Sequence, residues 1–102
     1  MKAIISGKKY DTSTAKLMGC WDNGEYPYDA YYIESELYRK RTGEFFLHRW
    51  GGALTGFAVN DGTGCYSGSG DIMPLTTQEA QEWAENHLSA DEYEEIFGEV
   101  EE

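Results

Sequence analysis

The stretch ESELYRKRTGEFFLHRW, Glu34–Trp50, sets the architecture of this chain. It contains two runs of strand-forming residues, Glu34–Lys40 and Glu44–Trp50, on either side of Arg41-Thr42-Gly43. A three-residue connection that ends in glycine is typical of a bulged β-hairpin, in which the glycine takes the left-handed conformation. Large side chains follow one another along the second run, which predicts either a central strand or one covered by helices on one face.

Shorter strands are expected on both sides of this hairpin. They are Lys2–Ile5, Lys8–Tyr10, Thr14–Trp21, Phe57–Asn60 and Cys65–Ser67. Alternation along the third of these predicts Ala15, Leu17 and Gly19 on a single face. Residues 51–70 contain seven glycines but no complete phosphate-binding motif, so turns and bulges of a bent sheet explain them.

From Thr76 onward the apolar period becomes helical. Thr76 with Glu79, and Ser89 with Glu92, have the spacing of two capping boxes, and Gly98 is placed to end the second helix. The apolar stripes of the two helices are Ala80, Trp83, Ala84 and Leu88, and Tyr93, Ile96, Phe97 and Val100. We therefore predict an α+β fold: a single domain over residues 1–98, with an antiparallel sheet of four to six strands, two short C-terminal helices, and a frayed acidic tail at 99–102.

Charge is distributed very unevenly along the chain. The 102 residues hold 8 Lys+Arg and 19 Asp+Glu, for a net charge of −11. All 8 basic side chains lie in residues 1–50 beside 7 acids, whereas residues 51–102 hold 12 acids and no Lys or Arg. This balance argues against direct binding of nucleic acid or of an anionic membrane, because phosphates are bound by clustered cations.

The sequence contains no segment for crossing a membrane or for secretion. Its longest apolar runs, Ala3–Ile5 and Phe45–Leu47, have three residues each, against about 20 for a membrane span. A secretion signal needs an apolar region of about 7–15 residues, which the N-terminus lacks. We therefore expect a cytoplasmic protein, in which Cys20 and Cys65 are free thiols; the alternative is a disulfide between them.

Residues that could carry catalysis or bind a metal are isolated in this sequence. The two histidines, His48 and His87, and the two cysteines show no metal-binding spacing. The position of His87 near the end of the first helix favours a partial positive charge. We predict no metal, no other cofactor and no enzymatic activity. The alternative is a small enzyme that uses a metal, or Cys65 as a nucleophile with a base such as His48.

The most informative pattern is a row of acids on the two predicted helices. They are Glu79, Glu82, Glu85, Asp91, Glu92, Glu94, Glu95 and Glu99. Neither helix contains a Lys or Arg that would relieve their mutual repulsion. Two interpretations remain: a surface that only aids solubility, or a surface that imitates the phosphates of a nucleic acid and binds a basic channel in a partner protein.

Tyrosines form a second candidate surface. Tyr26, Tyr28, Tyr31 and Tyr32 lie within seven residues of one another. Tyrosine is favoured at protein interfaces because it combines a large contact area with a polar end. The alternative function is therefore a general protein-interaction module that uses this tyrosine patch and the glycine-rich loops instead of nucleic-acid mimicry.

An ordered series of residues resembles a group of small acidic proteins encoded on phages and other mobile elements of Gram-positive bacteria. The series comprises Tyr10-Asp11-Thr12, Thr14-Ala15, Trp21 with Asn23-Gly24, Glu36-Leu37-Tyr38-Arg39, Gly43 with Phe45-Phe46-Leu47, Gly51-Gly52, Ser67-Gly68, Ile72 with Pro74-Leu75, and Glu79-Ala80 with Trp83. Small acidic proteins of this kind include anti-CRISPR proteins. The resemblance implies an inhibitor that acts in the host bacterial cell on a CRISPR effector, and it assigns no individual site residue.

Overall fold

The computed structural model describes residues 1–26, 29–52, 59–60, 66–67 and 69–102, with only the backbone described at 59, 60, 66 and 67. Its elements are β1 (Lys2–Ile5), β2 (Lys8–Asp11), β3 (Lys16–Asp22), β4 (Ile33–Arg39), β5 (Phe45–Gly51), β6 (Val59–Asn60), β7 (Tyr66–Ser67), β8 (Ser69–Leu75), α1 (Thr77–His87) and α2 (Ala90–Phe97). The main sheet is antiparallel, in the order β3-β4-β5-β8, and β1–β2 and β6–β7 are separate two-stranded sheets. This confirms the predicted α+β class.

The β4–β5 hairpin forms as the sequence predicts. Its register runs without interruption from Ile33 opposite Gly51 to Arg39 opposite Phe45. The amide of Gly43 donates to the carbonyl of Lys40 over 2.9 Å, and Gly43 has a φ of 92°. A side chain at that φ would be strained, so the glycine is what permits the tight connection.

Strand β8 completes the main sheet and was not among the predicted strands. It pairs with β5 along seven residues, from Ser69 opposite Gly51 to Leu75 opposite Phe45. Pro74 lies inside β8, which an edge strand tolerates because one side of its backbone needs no partner. The predicted strands Phe57–Asn60 and Cys65–Ser67 match β6 and β7 in their last two residues, and their earlier residues lie outside the described residues.

One face of the main sheet packs against the helices. Leu37 from β4 and Leu47 from β5 form a buried cluster with Ala80, Trp83 and Ala84 of α1. The indole N–H of Trp83 donates to Ser35 Oγ over 3.1 Å. The apolar stripe that the sequence predicts for α1 is therefore the surface that docks this helix on the sheet.

The opposite face of the sheet is partly covered by the β1–β2 hairpin. Tyr10 of β2 packs against Phe46 and Ile72, and all three are buried. The Tyr10 and Phe46 rings meet edge to face, with centroids 5.6 Å apart. Strand β5 thus lies between two strands and is covered on both faces, which accounts for the successive large side chains in its sequence.

A bulge in β3 changes the predicted alternation of that strand. The register passes from Leu17 opposite Tyr38 to Gly19 opposite Leu37, so one extra residue lies on β3. Leu37 and Tyr38 are neighbours on β4 and point to opposite faces. Leu17 and Gly19 consequently lie on opposite faces as well, and the prediction that they share one is wrong because of the bulge.

Candidate functional site

The acidic side chains of α1 lie opposite the stripe that docks the helix. Ala80, Trp83 and Ala84 are buried, whereas Glu82 and Glu85 are exposed. Each residue of an α-helix advances the side-chain direction by about 100°, so Glu82 and Glu85 point roughly 140–160° away from the middle of that stripe. The packing of α1 therefore fixes the direction in which these carboxylates face.

Helix α2 repeats this arrangement more loosely. Tyr93, Ile96 and Phe97 are partly buried against the helix-side core, and the Phe97 ring lies 5.4 Å from that of Phe45. Asp91 and Glu95 are exposed on the other side of α2. Val100, which the sequence places on the apolar stripe, is instead 60% exposed because the helix ends at Phe97 and Gly98 turns the chain with a φ of 90°.

Three of the eight predicted acids have structural partners. Both capping boxes are present, with Glu79 accepting from the Thr76 amide over 2.9 Å and Glu92 accepting from the Ser89 amide over 3.2 Å. Glu94 accepts from the amide of Val100 over 3.4 Å. These carboxylates stabilise helix ends and the tail, in addition to any role at the surface.

The other five acids have no partner within the described part of the chain. Their side chains make no hydrogen bond or ion pair there, and all five are exposed. They are Glu82, Glu85, Asp91, Glu95 and Glu99, which we call the acidic face. The ion pairs found among the described residues involve other acids, such as Glu44 with Lys8 and Asp71 with Arg49. The negative charge of the acidic face is therefore uncompensated.

A groove beside the acidic face was not foreseen from the sequence. It has a volume of about 520 Å³ and lies between α1, α2 and the C-terminal tail. Its apolar lining includes Leu88 and Tyr93, and its carboxylates are Glu85, Glu94 and Glu102. The sequence signal that could have indicated the groove is the apolar stripe of α1, which continues past the helix end to Leu88 and is followed by Tyr93 of α2. Such a lining can hold the aliphatic stem of a Lys or Arg whose charged end meets the acids.

The predicted tyrosine patch is divided by the fold. Tyr26 and Tyr31 are 71% and 60% exposed, whereas Tyr32 is only 7% exposed. The Tyr32 hydroxyl donates to Glu34 Oε2 over 2.6 Å, and this hydrogen bond to a carboxylate raises the pKa of Tyr32. Tyr28 lies outside the described residues. Tyr32 is therefore part of the interior, and among the described tyrosines of this patch Tyr26 and Tyr31 are the ones exposed to a partner.

The two histidines have different neighbours. His48 Nδ1 lies 3.0 Å from Glu36 Oε1 on the adjacent strand. His87 lies against Trp21 and Trp83, with ring centroids 4.4 and 5.3 Å away. Burial lowers the pKa of His87, so its surroundings favour the neutral ring and not the positive charge expected from its helix position.

The structure describes one of the two cysteines, Cys20. Cys20 is a free, exposed thiol. Glu36 lies opposite Cys20 on one side and His48 on the other, so the carboxylate separates the thiol from the imidazole. Cys65 lies outside the described residues. Within the described ranges, no three His, Cys, Asp or Glu side chains are grouped so that they could hold a metal ion.

No helix in the described part of the chain is long and apolar enough to cross a bilayer. Comparison of the chain with models of protein families, with curated proteins and with solved structures gave no match.

Proposed function

We propose that this protein is a small cytoplasmic inhibitor, of the anti-CRISPR kind, that occupies the nucleic-acid channel of a CRISPR effector with its acidic face. The observation that carries the proposal is the acidic face: four exposed carboxylates without partners on the outer side of α1 and α2, and that of Glu99 just after the end of α2. Such a surface costs stability through self-repulsion. A basic channel in a partner protein would relieve that repulsion.

The spacing of the carboxylates supports mimicry of a nucleic-acid backbone. Within the acidic face, Glu82 and Glu85 are three residues apart on α1, and Asp91 and Glu95 are four residues apart on α2. A separation of three or four residues corresponds to about 4.5–6 Å along a helix axis. Lys and Arg side chains that line a channel for phosphates could therefore meet successive carboxylates of one helix.

The groove offers an apolar contact in addition to the charges of the acidic face. A Lys or Arg at the edge of the channel would lay its aliphatic part against Tyr93 and Leu88 and direct its charge to Glu85 or Glu94. Contacts of this kind slow dissociation, whereas exposed charges mainly accelerate association. The mechanism is thus competitive occupancy of the channel, with no reaction catalysed.

The test measures binding of purified effector–guide complexes, and inhibition of their target-DNA binding, at fixed salt. The variant Glu82→Gln/Glu85→Gln/Asp91→Asn/Glu95→Gln is expected to lose about 100-fold in affinity, because each neutralised contact removes a charge-assisted interaction. A matched single-charge comparison uses Glu95→Gln against Glu25→Gln, since Glu25 is an exposed acid far from both helices in the sequence. Equal affinity of the fourfold variant and the wild type would refute the electrostatic mechanism.

A second candidate function, the tyrosine-based interaction module, is favoured by the exposure of Tyr26 and Tyr31. In that case Tyr26→Ala/Tyr31→Ala abolishes binding, while the fourfold acid variant binds normally. The opposite outcome supports the acidic face. Failure of the wild type to bind any CRISPR effector would refute the inhibitor proposal itself.

A further inference from the structure

Two adjoining clefts at one end of the main sheet are lined by cations, in a chain whose net charge is −11. They have volumes of about 280 and 360 Å³ and share Thr14, Ala15, Lys40 and Arg41. We call the combined feature the basic cleft. Its charged lining residues are Lys9, Asp11, Lys16, Arg39, Lys40 and Arg41.

The basic cleft gathers most of the positive charge of the protein. Five of the 8 Lys+Arg line it, against the single acid Asp11, which leaves a surplus of four positive charges. Asp11 accepts hydrogen bonds from the Ser13 hydroxyl and amide over 2.7 and 2.9 Å. Those bonds lower the pKa of Asp11 and direct one of its oxygens towards Ser13.

Lys40 is a cation of the basic cleft whose side chain is held in place by its neighbours. Its ammonium lies 4.2 Å from the centroid of the Tyr10 ring, and its side chain is 16% exposed. Tyr10 itself is 5% exposed and belongs to the core beneath the β1–β2 hairpin. Lys40 also lies 3.6 Å from Glu44, at the edge of the feature. A cation held in this way loses little freedom when an anion binds.

Two other cations of the basic cleft, Lys16 and Arg41, are accessible to a ligand. Lys16 and Arg41 are exposed, and neither forms an ion pair with a described residue. They come from β3 and from the β4–β5 turn, so the fold brings together charges that are 25 positions apart in the sequence. Both of them line the larger of the two clefts together with Lys40.

We propose that the basic cleft binds a small ligand with two linked phosphate groups. Each phosphate group carries about −1.5 to −2 charges near pH 7, so two of them match the surplus of four. A single carboxylate would neutralise only a quarter of it. The guanidinium of Arg41 suits bidentate contact with phosphate oxygens. A long nucleic-acid strand is disfavoured, because the rest of this protein is strongly negative.

The test titrates the full chain with inorganic pyrophosphate by calorimetry at low salt. The variant Lys16→Gln/Arg41→Gln is expected to bind at least about tenfold more weakly, because two charge-assisted contacts are lost. The charge-matched control is Lys2→Gln/Lys8→Gln, which removes two positive charges from exposed lysines that do not line the basic cleft, and it is expected to lose clearly less affinity than Lys16→Gln/Arg41→Gln. Thermal melts of both variants establish that they are folded.

Three outcomes would overturn this proposal. Absence of pyrophosphate binding at millimolar concentration shows that the cleft is no such site. An equal loss of affinity in Lys2→Gln/Lys8→Gln and in Lys16→Gln/Arg41→Gln shows that only net charge matters. Tighter binding of a single-stranded oligonucleotide than of pyrophosphate shows that the ligand is a nucleic acid. The proposal is supported if the wild type binds pyrophosphate more tightly than sulfate and Lys16→Gln/Arg41→Gln loses that preference.

Discussion

The hydrogen bond between Trp83 and Ser35 gives a stability prediction that tests how α1 is docked. The indole N–H of Trp83 donates to Ser35 Oγ over 3.1 Å, and the two residues are 9% and 7% exposed. Ser35→Ala removes the acceptor and leaves a buried donor without a partner. An unsatisfied buried group costs about 1–3 kcal/mol, which is the expected loss in the free energy of unfolding.

The same interaction can be isolated by a double-mutant cycle. In a Trp83→Phe background the donor is absent, so Ser35→Ala is expected to cost less than about 0.5 kcal/mol. The difference gives a coupling energy of about 0.5–3 kcal/mol. Urea unfolding followed by far-UV circular dichroism measures all four proteins, because fluorescence would change with the tryptophan count. For a domain of this size each kcal/mol lowers Tm by about 4–8 °C.

Two results would refute this reasoning. One is a loss below about 0.5 kcal/mol for Ser35→Ala in the wild-type background, given the expected range. The other is an equal loss in both backgrounds, which would show that Ser35 matters for packing alone. Either result would mean that the buried indole does not depend on Ser35 for its position.

Three further predictions concern the core, the second helix and pH. Leu37→Ala is expected to destabilise the protein by about 2–5 kcal/mol, because Leu37 is fully buried between sheet and helix; urea unfolding with a loss under 1 kcal/mol would contradict this. Ser89→Ala removes the N-cap of α2 and is expected to cost about 1 kcal/mol by the same assay, while no loss would mean that the cap on the Glu92 amide is not needed. Burial lowers the pKa of His87 from its ordinary value of 6.5, so the unfolded chain binds a proton on this ring at a higher pH than the folded protein does. The contribution of His87 to the free energy of unfolding is therefore fully present above pH 6.5 and is lost as the pH falls below that value. The fall in stability is expected to be smaller in His87→Gln. Identical pH dependence of the two proteins between pH 7.5 and 5.5 would show that the ring beside Trp21 does not contribute.

Local signals in the sequence were sufficient for much of the fold. Gly43 marks the hairpin turn, and the capping boxes at Thr76 and Ser89 place both helix starts, because each depends on a few neighbouring residues. The direction of the acidic face follows from the same helical period. These features need no knowledge of distant contacts.

Non-local features escaped prediction. Strand β8 carries Gly70 and Pro74, which read as loop residues until its pairing with β5 is known. The bulge between Leu17 and Gly19 arises in the pairing with β4, where Gly19 leaves room for Leu88: a Cβ there would lie 2.8 Å from a Leu88 methyl carbon. The burial of Tyr32 and the placement of Lys16 and Arg41 along one cleft likewise depend on how the strands pair.

The fold separates the two signs of charge. The helices and the residues just after them carry five exposed carboxylates without partners, whereas one end of the sheet gathers five of the 8 cations. Net charge alone conceals this, because −11 is the sum over both regions. The two proposals rest on different residues and can be tested separately.

The central claim, that the acidic face recognises a basic channel, is tested most directly by the salt dependence of association. The rate constant for binding to the CRISPR effector is measured for the wild type and for the Glu82→Gln/Glu85→Gln/Asp91→Asn/Glu95→Gln variant between about 50 and 500 mM salt. Electrostatic steering can raise association rates by about 10–10³-fold and is screened by salt. We predict at least a tenfold fall for the wild type and a slow, nearly salt-independent rate for the variant. Equal rates with equal salt dependence would contradict the account.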